Sequence, residues 1–413
     1  MSFPRSAPAL MLALALSPLP AFAQMNMPGM EMPDARPATP VKAPDPMPGM
    51  ETAPAKPGWT VMSHGVLTLV ADDQQGPRGD SKAFVEGMVM VMADRNLSDR
   101  DDLRIDAMLS PDAFTGRSGY PLLLQTGETA DGVTTLIDRQ HPHDLLMGLT
   151  ARLTHRFNTG SAFVEAGYPG AFAFGPTAFM HRASGDNFPT APISHHWLDS
   201  GHITMGEVTA GISRGPLTLE VSEFTGREPD ENRFDLDPVH LDSTAVRVTW
   251  RVMPDLSAQT SWARQVSPEA LEPGVNLIKH SLSVDYGHSF GAGTLNSTLA
   301  WGRKRVEHGT EKPSDAWLFE NTWHFNGPWI ALARYEHVYN DELAARAAWV
   351  SKAEAGIVRT FAIRKNISLG VGVVRQFNDV PGALKAAYGG HPNGTVAFIQ
   401  LKFHGGGMGG MAM

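Results

Sequence analysis

The chain has 413 residues, which is enough for one large domain or for two to three ordinary ones. Its net charge of −9 and the lack of any basic stripe argue against nucleic acid as a partner. The sequence contains no cysteine, so disulfide scaffolds and thiolate metal sites are both excluded.

The first 23 residues have the features of a secretory signal peptide. Arg5 supplies the positive charge, residues 9–16 form a short apolar run, and residues 21–23 read Ala-Phe-Ala, so we expect the mature chain to begin at Gln24. The apolar run is too short to span a bilayer as a helix, and no later segment reaches about 18 apolar residues. The exported protein is therefore predicted to be soluble or a β-barrel.

Residues 24–58 are rich in proline and methionine and have no apolar periodicity, which predicts a disordered periplasmic arm. The pentapeptide MPGME occurs in it twice, at Met27–Glu31 and at Met47–Glu51. In a polyproline II helix, residues three apart lie on one side, so paired thioethers could reach one ion, and thioethers favour Cu(I) or Ag(I). The alternative is that these methionines belong to flexible ends of biased composition. The candidate ligands are Met27, Met30, Met47 and Met50 in the arm, and Met408 and Met411 in the Gly/Met-rich tail at 405–413.

Residues 59–404 contain about sixteen segments of roughly ten residues in which apolar and polar side chains alternate, as in strands with two unlike faces. Short connections such as 158–160 and 291–292 alternate along the chain with long ones such as 111–146 and 169–201. Outer-membrane barrels have an even number of strands, short periplasmic turns and long outer loops. We therefore predict an all-β fold, a transmembrane antiparallel β-barrel of about 16 strands with both termini in the periplasm. A soluble β-sandwich or propeller is the alternative, although it would not sort its turns so regularly.

The first three predicted strands place methionines on one face. This face also carries acidic residues, which indicates that it lines the lumen, because charge on the lipid face is costly. Hairpins centred on Gly76 and Ser98 would set Met62 opposite Met90, His64 opposite Met88, and Met88 opposite Met108. The alternative is that methionine serves here as a flexible apolar filler. The candidate metal patch consists of Met62, His64, Met88, Met90 and Met108.

Two predicted outer loops carry closely spaced histidines, in DRQHPHD at 138–144 and in HHWLDSGH at 195–202. Imidazole together with carboxylate suits Cu(II), zinc, nickel or iron. A polar constriction whose histidines only hydrogen-bond is an equal alternative. The candidate ligands in these loops are His141, His143, His195, His196, Asp199 and His202.

A catalytic interpretation has weaker support. Ser194, Ser200, Asp199 and His202 would supply the residue types of a barrel hydrolase, but the sequence has no G-x-S-x-G elbow. We therefore predict that the protein is not an enzyme.

The repeated MPGM segments ahead of a predicted barrel resemble the copper-resistance B family of outer-membrane proteins, whose mature N terminus is methionine-rich; this resemblance covers Met25–Met50. The body is similar to an uncharacterised proteobacterial outer-membrane β-barrel family associated with copper handling. The runs that carry this second resemblance are GPTAFMHR…HHWLDSGHITMGEVTAGI (Gly175–Ile212) and FTGREPDENR (Phe224–Arg233). Both resemblances imply association with metal and do not by themselves imply transport.

Together these features predict an outer-membrane barrel that binds a copper ion, as Cu(I), and contributes to copper tolerance by sequestration or by efflux through the lumen. The expected partners are metal ions, outer-membrane lipid and periplasmic copper proteins. The alternatives are a general porin or structural barrel with incidental methionines and, third, the barrel hydrolase.

Overall fold

In this computed structural model, the described residues are 58–343, 347–390 and 392–406. Among them, no helix is long and apolar enough to cross a membrane. The predicted signal peptide, almost all of the predicted arm and most of the predicted tail lie outside the described residues. The candidate ligands that lie outside them are Met27, Met30, Met47, Met50, Met408 and Met411.

Sixteen strands close into one antiparallel barrel, which confirms the predicted fold class. Each barrel strand pairs with its neighbours along the chain, and the first strand pairs with the last. The fourth and fifth strands pair only with each other, so they are not part of the wall. In chain order the strands are β1 (Thr60–Gln74), β2 (Ser81–Asn96), β3 (Asp101–Leu109), β4 (Tyr120–Thr129), β5 (Thr135–Gln140), β6 (Leu146–Phe157), β7 (Gly160–Gly167), β8 (Glu207–Arg214), β9 (Leu217–Thr225), β10 (Leu241–Met253), β11 (Leu256–Gln265), β12 (Leu277–Phe290), β13 (Gly293–Val306), β14 (Ser314–Phe325), β15 (Trp329–Asn340), β16 (Ala348–Arg364), β17 (Ile367–Asp379) and β18 (Asn393–Gly406).

The helical segments are short. One-turn α-helices span His195–Leu198 (α1) and Lys385–Tyr388 (α2). Single 3-10 turns lie at Pro111–Thr115, Ser200–His202 and Gly382–Leu384.

The turns alternate in length as predicted. One end of the barrel has connections such as 158–159, 215–216 and 291–292, and the other end carries the long segments 110–145 and 168–206. In outer-membrane barrels the short turns face the periplasm, which puts both ends of the described chain on that side. β18 continues to Gly406, two residues into the predicted tail.

The two faces of the wall meet different environments. On β14, the side chains of Trp317, Phe319 and Trp323 are 47%, 48% and 48% exposed, whereas Glu320 and Thr322 are fully buried. This alternation places apolar groups on the outer face, where lipid tails offer no hydrogen-bond partners, and polar groups on the inner face, toward the lumen. A sixteen-stranded barrel is wide enough for an aqueous channel, so polar groups buried on its inner face indicate that the lumen is occupied.

A charge on the outer face should destabilise the barrel. Leu299 is half exposed and pairs with Val284 and Phe319 in the middle of its strand. We expect Leu299→Arg to lower the free energy of unfolding in lipid vesicles by about 2–4 kcal/mol, measured by guanidinium titration. The control is Met253→Arg, because Met253 is equally exposed but ends its strand, where the cost falls to about 0–1 kcal/mol. Equal losses in the two variants would contradict a lipid-facing surface at Leu299.

The predicted register of the first two hairpins is wrong by two residues. His64 lies opposite Met90 and Val66 opposite Met88, while Met90 lies opposite Met108. Met62, predicted to face Met90, instead lies opposite Met92. The β1–β2 hairpin is centred one residue beyond Gly76, and the β2–β3 hairpin one residue beyond Ser98. Because side chains alternate with period two, a two-residue slip keeps every side chain on its predicted face. The methionine face accordingly lines the lumen, where Met88 and Met108 are buried.

The two longest loops, 110–145 and 168–206, fold into the lumen, and we call them together the plug. Their side chains share a hydrophobic core with the wall, in which Leu123 and Trp197 of the plug join Leu318 of β14. A Cβ at Gly302 of β13 would lie 2.3 Å from the Trp197 carbonyl oxygen, so only glycine lets α1 approach the wall this closely. Sequence reasoning missed the β4–β5 hairpin of the plug because residues 120–127 are all buried and therefore show no alternation.

Buried charges also join the plug to the wall. In the plug, Arg182 contacts both Asp199, at 2.9 Å, and Glu320 of β14, also at 2.9 Å. Arg334 of β15 contacts the second oxygen of Glu320 at 2.8 Å and Glu354 of β16 at 2.9 Å. All of these side chains are at least 97% buried, so each charge depends on its partners for stabilisation.

Candidate functional site

The five predicted loop histidines converge inside the plug, and we call them the histidine cluster. The ring centres of His195 and His202 are 5.0 Å apart, and those of His143 and His202 are 5.2 Å apart. His196 lies 5.5 Å from His195 and 5.6 Å from His141, so the five rings form a continuous chain. All except His202 are more than 90% buried. The structure thus brings together two histidine groups that are about 50 residues apart in the chain.

Asp199 orients two rings of the cluster. α1 is a single helical turn, which places His195 and Asp199 on one side, with His195 Nδ1 2.6 Å from a carboxylate oxygen. The backbone carbonyl of the same residue accepts a hydrogen bond from His202 Nδ1 at 2.7 Å. Burial would raise the pKa of the Asp199 carboxyl, but His195 and Arg182 hold this pKa well below its usual range. Asp199 is therefore an anion that fixes the orientation of its neighbours.

The closest contact in the cluster joins His143 and His202, whose Nε2 atoms are 3.2 Å apart. His143 Nδ1 lies 2.7 Å from Asp112, a carboxylate that also accepts a hydrogen bond from the Gly87 amide. Asp112 and the Asp199 carbonyl can only accept hydrogen bonds, so both Nδ1 atoms carry protons, and in the neutral form of each ring the Nε2 atom keeps a free lone pair. Two imidazole ligands of one transition metal ion, each bonded at 2.0–2.1 Å, lie about 2.9–3.4 Å apart. The pair therefore has the spacing of two ligands of a single ion.

Burial favours the neutral form of three rings of the cluster, those of His141, His196 and His202. It lowers the pKa of His202 well below the usual 6.5, and the neighbouring His195 and His143 lower this pKa further. Burial has the same effect on the pKa values of His141 and His196. Neutral imidazole is the form that binds metal, so these rings are competent ligands at neutral pH.

A cavity borders all five rings, and we call it the histidine cavity. Glu128 of β4 lies on its wall, with one oxygen 3.0 Å from His141 Nε2 and the other 2.6 Å from Arg233. Burial raises the pKa of the Glu128 carboxyl to about 8, although Arg233 opposes this effect. Among the described ring nitrogens of the cluster, His196 Nε2 is buried without a hydrogen-bond partner.

A second cavity, which we call the methionine cavity, adjoins the first. Met88 of β2 and Met180 of the plug line it, and His141 and His143 line both cavities. Met88 and Met180 also belong to an apolar cluster at this wall. The other members of that cluster are Met90, Met108, Met147 and Ile203.

Part of the predicted methionine patch lies outside this cluster. The cluster includes Met88, Met90 and Met108 but not Met62 or His64. The His64 ring lies 6.4 Å from that of His181. Met62 is two residues further toward the short-turn end of its strand. Sequence reasoning missed Met147, Met180, Asp112 and Glu128; only Met180 had a local signal, since it directly precedes a histidine.

No known protein family model matches this chain, and no curated protein matches it. Solved structures that resemble it include the following two. An anion-selective porin from Comamonas acidovorans has a TM-score of 0.54 at 13% identity, over 84% of this chain and all of that one. OmpF of Salmonella typhi, in complex with daunomycin, has a TM-score of 0.52 at 12% identity, over 83% of this chain and 97% of that one. The barrel has the porin fold. At such identities the likeness concerns the fold alone, and the apolar outer face places this porin-fold barrel in the outer membrane.

The described part of the porin-fold barrel contains one set of three carboxylates or imidazoles whose ligand atoms all lie within 4.8 Å of one another. It consists of Asp230, Asp235 and Asp237, in an outer loop, and two of the three are exposed. The two Nε2 atoms of His143 and His202, which we call the histidine pair, thus have no third imidazole or carboxylate of the described residues within that distance of both. Water or thioether would have to complete the coordination of an ion bound there.

The serines named for a hydrolase do not contact the histidines. Ser200 Oγ accepts a hydrogen bond from Lys279 at 3.1 Å, and Ser194 Oγ donates one to Glu336 at 2.7 Å. A serine nucleophile requires a hydrogen bond to its base, and neither serine has one to a described histidine.

The Asp112 carboxylate should matter for metal affinity. Its two oxygens accept from His143 and from the Gly87 amide, so in Asp112→Asn the amide NH₂ must face one of two donors. We expect the affinity of the purified protein for Zn²⁺ or Cu²⁺ to fall by about 10–100-fold, measured by chelator competition. The control is Asp99→Asn, an exposed position in the short turn after β2. Unchanged affinity in Asp112→Asn would show that His143 needs no orienting partner.

Acidification should destabilise the fold through His196. Because burial lowers the pKa of His196 well below 6.5, below that pH the unfolded chain binds a proton that the folded chain does not. The free energy of unfolding therefore falls as the pH falls, by up to about 1.4 kcal/mol per pH unit for this side chain. The free energy of unfolding is measured by denaturation with chelator present, between about pH 7.5 and about pH 5.5. We expect it to fall more steeply with falling pH in the original chain than in His196→Gln, by this slope. Parallel curves would contradict the burial of a neutral ring.

Proposed function

We propose that this porin-fold barrel binds copper in its lumen and contributes to copper tolerance, by sequestering the ion or by passing it outward. One observation carries the proposal: the Nε2 atoms of His143 and His202 face each other at 3.2 Å while both Nδ1 atoms are already hydrogen-bonded. Two opposed lone pairs repel each other unless a proton or a metal ion lies between them. The 3.2 Å spacing matches that of two imidazole ligands of one metal ion, which makes a metal ion the candidate that we propose.

Copper is favoured over zinc or nickel because of the neighbouring methionines. Imidazole binds zinc, nickel and both oxidation states of copper, so it does not discriminate among them. Thioether is selective for Cu(I) and its analogue Ag(I). His141 and His143 line both cavities, so imidazoles and the thioethers of Met88 and Met180 are available within one region of the lumen. We extend the proposal to the arm, whose paired methionines would receive copper from periplasmic copper proteins.

The test uses the full mature chain and cells that lack the gene. We expect purified protein to retain copper after desalting, and His143→Gln/His202→Gln protein to retain less. Cells carrying the double variant should survive copper less well than cells carrying the original chain. The control is His155→Gln, because this histidine lies on β6 near the short-turn end, where it contacts Asp101. Equal copper content and equal survival for all three chains would refute the proposal.

A general porin is the second candidate, and the fold shared with two solved porins favours it. Against it, the plug packs its apolar side chains on the wall inside the lumen. Conductance in planar bilayers separates the two functions. Conductance comparable to that of OmpF, without copper retention, would favour the porin, and low conductance with copper retention would favour the copper barrel.

A further inference from the structure

We propose that the methionine cavity is a second cation site, selective for a soft monovalent ion such as Cu(I) or Ag(I), and separate from the histidine pair. Met88 projects into this cavity from the barrel wall, and Met180 comes from the plug. The two thioethers are 92 residues apart in the chain and meet only because the plug folds into the lumen. His202, by contrast, borders only the histidine cavity, whose lining contains no sulfur, while His143 borders both cavities.

The remaining lining offers carboxyl oxygens to a cation. Glu86, Asp112 and Asp186 contribute carboxylates, and no lysine or arginine of the described chain lines this cavity. Two of these carboxylates are held by other groups: Asp112 accepts from His143, and Asp186 contacts Lys402. An isolated cation in a region of low dielectric constant is costly, and nearby carboxylates reduce that cost.

Thioether ligands make the site selective. A methionine sulfur needs no deprotonation and binds Cu(I) or Ag(I) in preference to hard cations. Met88 and Met180 pack in an apolar cluster, and the cavity beside them also has imidazole and carboxyl groups in its lining. A soft monovalent cation is the ligand class that matches both the sulfur atoms and the imidazole and carboxyl groups of the lining.

The neighbouring methionines indicate how the ion would reach the site. Met90 and Met108 face each other across β2 and β3, next to Met88 and on the side toward the short turns. Met62 and Met92 form the next pair in that direction. These thioethers lead from the short-turn end of the barrel to the methionine cavity, and His143 lies beyond it.

The experiment titrates Ag⁺, added as the nitrate, into full-length protein whose six terminal candidate methionines are replaced by serine. Native mass spectrometry counts the bound ions. We expect Met88→Leu/Met180→Leu to lose one tightly bound Ag⁺, whereas the matched control Met205→Leu, a buried methionine outside both cavities, loses none. X-ray absorption of the original site should report sulfur neighbours of silver. Retained circular dichroism and retained heat-modifiable migration on gels would establish that the variants are folded.

His202→Gln distinguishes this inference from the copper proposal, because His202 borders only the histidine cavity. If the methionine site is separate, this variant keeps its Ag⁺ and loses Zn²⁺ or Cu²⁺ binding. If the original chain binds Ag⁺ at the methionines but no Zn²⁺ or Cu²⁺, the second site stands and the histidine pair fails. An unchanged Ag⁺ count in Met88→Leu/Met180→Leu, or Ag⁺ loss only in His202→Gln, would overturn the inference.

Discussion

Replacing Arg182 with methionine is expected to loosen the plug and to raise the conductance of the barrel. Arg182 is 97% buried and bridges Asp199 in the plug to Glu320 in the wall, at 2.9 Å to each. Removing it leaves two buried carboxylates with less compensation, a change that costs about 3–5 kcal/mol. Methionine fills much of the same volume, so the loss would reflect charge rather than a cavity. Single-channel recording and guanidinium titration measure the two effects.

Arg303→Met provides the control for Arg182. Arg303 makes a comparable contact with Asp315, at 2.7 Å, but its side chain is 42% exposed near the long-loop end of β13. Exposed pairs contribute about 0–1 kcal/mol, so this variant should keep both its stability and its conductance. If the two variants behave alike, the buried pair does not hold the plug in place.

Single replacement of His143 or His202 by glutamine should lower the affinity for Cu²⁺ by more than about 100-fold, because loss of a ligand exceeds the effect of losing an orienting partner. The double replacement should cost little more than either single one. The reason is that the two Nε2 atoms, 3.2 Å apart, act as one chelating pair, so either loss already breaks the chelate. Competition with a chromophoric chelator measures all three affinities.

His155→Gln is the control for this series, since its contact is with Asp101 near the short-turn end of the wall. Small, independent losses that add in the double variant would contradict a shared ion. A further result against the pair would be full Cu²⁺ affinity in both single variants.

The sequence by itself determined the barrel. On β14, Phe319 and Glu320 are neighbours with opposite surroundings, and this alternation can be read from the residues because the two faces of a strand meet lipid and lumen. Neighbouring strands are also neighbours in the chain, so the alternation of short and long turns gave the strand count. The sequence did not determine the register of the first hairpin, because the turn after β1 has no residue that marks its centre. The observed partners differ from the predicted ones by two residues.

Only the tertiary structure decided the interior. Nothing local to His143 predicts that it meets His202, because their contact depends on two loops folding through the lumen and packing on the wall. The same is true of Met180, which approaches Met88 only inside the plug. Strand pairing joins segments that are neighbours in the chain. The difference between lipid and lumen determines whether each successive side chain of a strand is apolar or polar. The plug is held by contacts such as that of Arg182 with Glu320. Such contacts join residues far apart in the chain, and no periodicity of the sequence predicts them.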